Sequence, residues 1–272
     1  MFEGIVRMFK EKDGFISGEE MSRRLGITRA AFWKKIKALR ERGYVIEGST
    51  AKGYRLIKTP EFSVEELKIL IKGDFGKEII FHESIDSTNT LAMELAEKGV
   101  PHGTVVIADR QLKGKGRLGR TWFSPPKGNI YMSVIVRPEI EPKDATLLTI
   151  MSAISCARAI RNSTRNESFP TGLEVNIKWP NDLMVSERKL GGILTEMKSD
   201  QDRIVFAVIG IGINVNAGLD AFPSDVRAVA ASVIEELREK GYSQKISRTL
   251  IIAAVLNELE RWFKVLIKGG RI

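Results

Sequence analysis

Between Lys113 and Asn129 the chain reads Lys-Gly-Lys-Gly-Arg-Leu-Gly-Arg-Thr-Trp-Phe-Ser-Pro-Pro-Lys-Gly-Asn. Gly114, Gly116 and Gly119 have the spacing of the dinucleotide fingerprint, which works only where a helix follows and turns its N-terminus toward a pyrophosphate. Pro125, Pro126 and Gly128 forbid that helix. The stretch is instead a loop in which Lys113, Lys115, Arg117, Arg120 and free backbone amides face an anion.

At 272 residues the chain is long enough for about two domains, and 43% hydrophobic with 28% charged residues is ordinary for a globular protein. The N-terminus lacks a signal-peptide core. The longest apolar run, Ile204 to Ile213, is too short to span a bilayer and contains Gly210 and Gly212. A cytoplasmic protein without a membrane segment is expected. Cys156 stands alone in an apolar pattern and reads as a core residue. With His82 and His102 the only histidines, the chemistry must run on Lys, Arg, Asp and Asn.

The net charge of +9 is uneven: residues 1 to 58 hold 14 Lys and Arg against 7 Asp and Glu, the remainder 29 against 27. That basic segment has a specific pattern. A first helix runs from Glu3 to Lys12, and Ser17-Gly-Glu-Glu20 is a capping box opening a second, which Gly26 closes. Thr28 caps a third helix ending near Gly43. This is the helix-turn-helix layout. Phe32, Ile36 and Leu39 make the buried stripe of the third helix, so Lys34, Lys35 and Lys37 are expected on its exposed face. Two short strands around Gly48 to Lys52 form a wing. Thr28, Arg29, Lys34, Lys35, Lys37, Lys52 and Arg55 are the expected DNA-contacting residues.

The expected domains are 1–58, a winged helix-turn-helix; 59–63, a linker; and 64–272, beginning at a second capping box, Ser63-Val-Glu-Glu66. In the second domain helices are expected at Asn89 to Lys98 with Leu91 and Leu95 inward, Asp144 to Arg161, Ser224 to Lys240 and Ile246 to Ile267. Strands are expected at Ile79 to Glu83, Thr104 to Ala108, Ile130 to Val136, Glu174 to Trp179, Leu183 to Val185, Gly192 to Met197 and Ile204 to Ile213. Residues 161–168 read as a polar surface connection. The class is α+β, a mixed sheet with helices on one face.

Four polar loops interrupt this domain: Asp86-Ser-Thr-Asn-Thr90 at a helix start, the glycine loop with Gln111 at its entrance, Lys178-Trp-Pro-Asn-Asp182, and Arg188-Lys-Leu-Gly-Gly192 with Gly210-Ile-Gly-Ile-Asn214 beyond. A lysine and a carboxylate four residues apart suit either a salt bridge or a phosphate with its Mg²⁺. Glycines inside strands mark bulges or close approach of a ligand to backbone.

S-T-N, Q-x-x-G-K-G-R-x-G-R-x-W, K-W-P-N-D, R-K-L-G-G-I-L-x-E and G-I-G-I-N, in this order behind a winged helix, closely resemble the biotin protein ligases, specifically the bifunctional group that also represses biotin-synthesis genes. The resemblance runs from the N-terminus to the last helix. It implies a class II synthetase-like ligase domain that joins biotin to ATP, giving biotinyl-5′-AMP and pyrophosphate. Biotin is then transferred to a lysine of a biotin carboxyl carrier protein. It also implies a homodimer that binds operator DNA with the adenylate as corepressor.

The family pattern places biotin against Ser87, Thr88, Asn89, Gln111, Gly114, Lys115, Gly116, Arg117, Lys189 and Gly192. The nucleotide side matches Arg117, Arg120, Trp122, Lys178, Asn181, Asp182 and Asn214. Lys178, Lys189, Arg117 and Asp182 are the expected catalytic residues, with Asp182 a partner for Mg²⁺. Family members usually continue into a small C-terminal β-barrel, and the end at Lys268-Gly-Gly-Arg-Ile272 implies that it is absent. Lys115 stands where the family usually has arginine. Two alternatives are a lipoate ligase, disfavoured by the K-G-K-G-R loop and K-W-P-N-D, and a non-catalytic biotin-sensing regulator, which would be expected to lose Lys178 or Lys189.

Overall fold

The computed structural model describes residues 1–165, 169, 171–242 and 245–268, and the chain divides into two compact units, Met1–Leu70 and Ile71–Ile272.

In the first unit, α1 (Phe2–Glu11), α2 (Gly18–Leu25) and α3 (Arg29–Glu41) precede a hairpin of β1 (Val45–Ser49) and β2 (Gly53–Lys58) and a short α4 (Val64–Leu70). Ser17 Oγ accepts from the Glu20 amide at 3.0 Å and Thr28 Oγ1 from the Ala31 amide at 3.2 Å, while Gly26 ends α2 at φ 64°. Ile5, Phe9, Ile16, Met21, Phe32, Ile36 and Leu39 meet in one core. The wing is fastened to it by reciprocal 2.9 Å backbone bonds between Ile16 and Tyr54. Only glycine fits the adjacent Gly53, at φ 96°, where a Cβ would lie 2.2 Å from the Ile16 carbonyl oxygen.

The unit extends past the boundary expected at 58–64. Ser63 Oγ accepts from the Glu66 amide at 3.0 Å and opens α4, as its capping box predicts, but α4 packs on α1. Glu66, its side chain 4% exposed, pairs with Lys10 of α1; Glu65 pairs with Arg42, and Ser63 bonds the Tyr44 hydroxyl. These partners bring the expected linker, residues 59–63, and α4 into the first unit.

The second unit is a seven-stranded sheet of β3 (Ile79–His82), β4 (Val105–Ala108), β5 (Ile130–Val136), β6 (Asn176–Lys178), β7 (Asp182–Val185), β8 (Arg188–Ser199) and β9 (Ile204–Ile213), with α5 (Thr88–Glu97), α6 (Ala145–Thr164), α7 (Ser224–Arg227), α8 (Val233–Arg238) and α9 (Arg248–Ile267). The order is β3-β4-β5-β9-β8-β7-β6, antiparallel except for β3 and β4. Every residue of β5 is buried. Consecutive side chains of a strand point to opposite faces, so Thr195, bonded to Thr149 of α6 at 2.8 Å, and Glu196, bonded to Asn89 of α5 at 2.8 Å, put those helices on opposite faces. The long helices α6 and α9 pack together on one face and α5 crosses the other, beside the site, so the mixed sheet carries helices on both faces rather than on one as expected. The inward residues of α5 are Thr88, Asn89, Ala92 and Ala96, flanked by Leu91 and Leu95.

Cys156 is fully buried in α6, and burial pushes its thiol up, which removes it as a nucleophile. Arg161 to Thr164, expected in a surface connection, continue α6; residues 166–168 of that connection lie outside the described residues. The helix expected over 224–240 is two helices, because Val229 O and Ala231 N bond the Lys189 amide and carbonyl at 2.7 and 2.8 Å. Among the described residues no helix is long and apolar enough to cross a membrane.

Candidate active site and nucleic-acid interface

The glycine loop closes on itself. The Gly116 amide donates to Arg120 O at 2.7 Å and the Trp122 amide to Gly114 O at 2.9 Å, with Leu118 and Gly119 at positive φ (57° and 73°) turning the chain. No helix follows before β5, as Pro125 and Pro126 require. Both ends are tied to α9: the buried Arg248 guanidinium donates to Asp109 at 2.7 Å and to Asn129 O at 3.1 Å, one residue on either side of residues 110–128.

Under the loop lies a cavity of about 50 Å³, open to solvent, against the α5 face of β8 and β9. One wall is a hydrogen-bonded array of neutral groups. Gln111 Oε1 accepts from the Thr88 amide at 2.8 Å and its hydroxyl at 3.0 Å, while Gln111 Nε2 donates to Ser124 Oγ at 3.0 Å. Ser133 Oγ donates to Asn89 Oδ1 at 2.6 Å, and Asn89 Nδ2 donates to Glu196. The opposite wall is cationic. Lys189 Nζ sits 2.7 Å from Asp182 and 5.6 Å above the Trp122 ring, and Arg117 Nη1 donates to Asn181 Oδ1 at 2.7 Å. That last bond latches the glycine loop to the turn between β6 and β7.

Of the residues expected to bind biotin, Ser87, Thr88, Asn89, Gln111, Lys115, Gly116, Arg117, Lys189 and Gly192 line this cavity. Gly114 does not. It is buried where a Cβ would lie 2.3 Å from Trp122 O, so it shapes the loop rather than offering a surface. On the expected nucleotide side, Arg117, Trp122 and Asn181 line the cavity, and Asp182 reaches it through Lys189. Arg120 and Lys178 are exposed nearby in sequence but are not in its lining. Asn214 departs from expectation: it is 3% exposed, and its Nδ2 donates to Ala231 O at 3.0 Å, fastening β9 to the segment that grips Lys189.

Two loop cations expected to face an anion are held by carboxylates. Lys113 bonds Asp86 at 2.7 Å, which holds its ammonium above its ordinary value, and Lys115 lies 3.9 Å from Glu196. The strand glycines also have an internal reason. A Cβ on Gly210 would lie 2.1 Å from Asn89 Oδ1, and one on Gly212 would lie 2.7 Å from the Trp122 ring. The backbone is approached there by the protein's own side chains.

Sequence reasoning missed Ser133, Ser124, Glu196 and the 229–231 segment. Glu196 closes the R-K-L-G-G-I-L-x-E motif, and Ser133 is the one polar residue in Ile130 to Val136, so both carried a signal. The 229–231 segment is apolar and helix-compatible and carried none.

On the first unit, Lys34 and Lys37 of α3 are exposed as expected, and so is Lys52 on the wing. Lys35 is not: it is half-buried, its ammonium 4.6 Å above the Phe2 ring, so it fastens α3 to α1. Thr28 is committed to its cap, Arg29 to Glu19, and Arg55 to Glu47 at 2.6 Å.

Residues 81–214 match the Biotin/lipoate A/B protein ligase family, and residues 3–55 match an HTH domain. The chain therefore joins a ligase domain of that class to a helix-turn-helix module. Over 98% of its length it is 36% identical to the bifunctional ligase/repressor BirA of Bacillus subtilis, covering 79% of that protein. It is 33% identical to BirA of Escherichia coli over 94% of its length, covering 74% of that protein. Among solved structures, a biotin protein ligase from Aquifex aeolicus in complex with biotin and ATP superposes with a TM-score of 0.56 at 29% identity, over 71% of this chain and 73% of that one. The chain belongs to the bifunctional ligase/repressor family.

Proposed function

We propose that the second unit is an ATP-dependent biotin protein ligase and the first its operator-binding module. The observation that carries the ligase reading is the division of one cavity into a neutral wall, Thr88, Asn89 and Gln111, with the buried Ser133 bonded behind it, and a cationic wall, Lys189 and Arg117. A ureido ring needs hydroxyl and amide partners, which the neutral wall supplies; the dithiolane of lipoate has no polar group to bond there.

The cationic wall solves an approach problem. The biotin carboxylate must reach the α-phosphorus of ATP against mutual repulsion. Lys189 is ion-paired with Asp182 at 2.7 Å without donating a hydrogen bond to it, so its three N–H donors remain for the carboxylate and phosphate oxygens. Arg117 closes the loop over them through Asn181. A carboxylate oxygen attacks phosphorus, pyrophosphate leaves, and the cations stabilise the gathering charge. In the second step the acceptor amine attacks the adenylate carbonyl and AMP departs.

Asp182 was expected to hold Mg²⁺, and among the described residues no group of three or more His, Cys, Asp or Glu is arranged for a metal. One carboxylate already paired with Lys189 suits only a metal that arrives on the nucleotide phosphates with most of its water. We assign Mg²⁺ to the ATP substrate and Asp182 to the positioning of Lys189. The acceptor is a biotin carboxyl carrier protein. The repressor acts in the cytoplasm as a homodimer that the adenylate promotes.

Incubation with α-labelled ATP tests the ligase reading. Labelled adenylate should form only with biotin, and addition of lipoate in its place should form none; equal yield with both acids would overturn the choice of substrate.

A further inference from the structure

Trp33 lies on α3 between the buried Phe32 and the exposed Lys34, yet 55% of it is open to solvent. A tryptophan buries a large apolar area when it finds cover, and among the described residues Trp33 has no ring, cation or hydrogen-bond partner. It lies one helical turn from Arg29 and from Lys37, on one flank of α3. That flank opens into a groove of about 520 Å³ between α3 and the wing, lined by Arg29, Trp33 and Arg40 on one side and Ser49 and Thr50 on the other.

The cations of this groove are already committed. Arg40 donates twice to Ile46 O, at 3.1 and 2.8 Å, holding the wing against α3, and Arg29 pairs with Glu19. The uncommitted group is an indole, with a flat apolar face and one N–H. In a major groove the apolar feature on offer is the C5-methyl of thymine, with O4 of the same base beside it as an acceptor. Lys34 and Lys37 flank the indole as phosphate-seeking charges.

We infer that Trp33 is a base-reading residue of the winged helix, contacting a thymine methyl in the major groove, while Lys34 and Lys37 contribute phosphate contacts without sequence preference. This rests on the proposed DNA-binding role of the first unit.

The test uses the full-length protein with biotin and ATP. A preferred duplex is first selected from a random-sequence library with the wild type. Its thymines are then replaced singly by deoxyuridine, which removes the methyl group alone. One replacement per half-site should weaken wild-type binding about fourfold, the ratio that burial of one methyl group carries. Trp33→Ala should bind the thymine and deoxyuridine duplexes equally, with an unchanged salt slope. Lys34→Ala should keep the discrimination and lower the slope by about one. An unfolding transition of the first unit unchanged from wild type, followed by circular dichroism, reports that both variants are folded, and adenylate formation should be unaffected in both. If the wild type selects no preferred sequence, the DNA-binding reading fails and this one with it. If the wild type is selective and Trp33→Ala discriminates equally well, the role of Trp33 alone is overturned, as it is if Trp33→Ala instead lowers self-association.

Discussion

Lys189 is held at four points: its amide and carbonyl by Val229 and Ala231, and its ammonium by Asp182 and over the Trp122 ring. A long, flexible side chain fixed this way before substrate arrives needs no reorganisation when charge develops, the condition under which electrostatic stabilisation is strongest. Lys189→Ala should therefore cost about 3 kcal/mol of transition-state stabilisation, the scale of one oxyanion-hole donor. Single-turnover adenylate formation is the measurement, and a rate near wild type in a folded variant would remove the role. Arg117 is different in kind, because its bond to Asn181 holds a loop rather than a reacting atom. Arg117→Gly should release adenylate faster and label bystander lysines, since a mixed anhydride is protected only while the loop excludes water. Dissociation of labelled adenylate checks this. Both residues were legible in the sequence, because a lysine and an arginine amid glycines have little structural reason to be there. Asn214 was misread for a related reason: an asparagine after Gly-Ile-Gly-Ile looks the same whether it faces a ligand or, as here, ties backbone to backbone.

Elements whose own pattern decides their state were the ones sequence could give. The apolar runs Ile130 to Val136 and Ile204 to Ile213 and the caps at Ser17, Thr28 and Ser63 each appear where expected. Elements decided by distant partners were not. The interruption between α7 and α8 exists because Lys189 takes the backbone bonds, and α4 belongs with α1 because a buried Glu66 needs Lys10. The same dependence on distant partners governs α9. Arg248, its side chain 7% exposed, carries the tie to Asp109 and Asn129 across more than a hundred residues of chain. Arg248→Ala leaves Asp109 in a largely buried position without its cation, and should cost about 3 kcal/mol of stability, measured by denaturant unfolding. Near its other end α9 packs Phe263 against His102, whose ring centroid is 5.0 Å away and whose Nδ1 accepts from the Arg137 amide at 3.0 Å. Burial lowers the His102 value, and Arg137 adds to the effect while Glu260 and Asp74 partly offset it. A depressed histidine favours the neutral folded form, so its contribution is complete above its ordinary value of about 6.5 and is lost as pH falls through the lowered one. Wild type should lose stability more steeply than His102→Gln between neutral and mildly acidic pH, and parallel curves would count against the assignment.

At the scale of the whole molecule the question is how much of the chain each activity needs. The cavity residues all lie within the second unit, and the exposed cations Lys34, Lys37 and Lys52 all lie within the first. A cut after residue 58 would leave α4 without α1, exposing Leu67 and an unpaired Glu66, so the informative deletion is residues 1–70. That deletion should retain biotin-dependent adenylate formation and erase DNA binding. The full chain should bind duplex more tightly with biotin and ATP than without. A single small module presents limited area, and affinity sufficient for a specific site needs two modules at fixed spacing on a palindrome, which a ligand-promoted dimer provides. The bound fraction should fall steeply with salt, because each lysine or arginine seated on a phosphate releases counterions. A gel-shift titration of the region upstream of the source's biotin genes, with and without biotin plus ATP and at two salt concentrations, reads all of these together. Equal and sequence-indifferent binding in both ligand conditions would sink the repressor half of the reading. The ligase half stands on the cavity, and only loss of adenylate formation in the deletion variant would tie the two units into one indivisible catalyst.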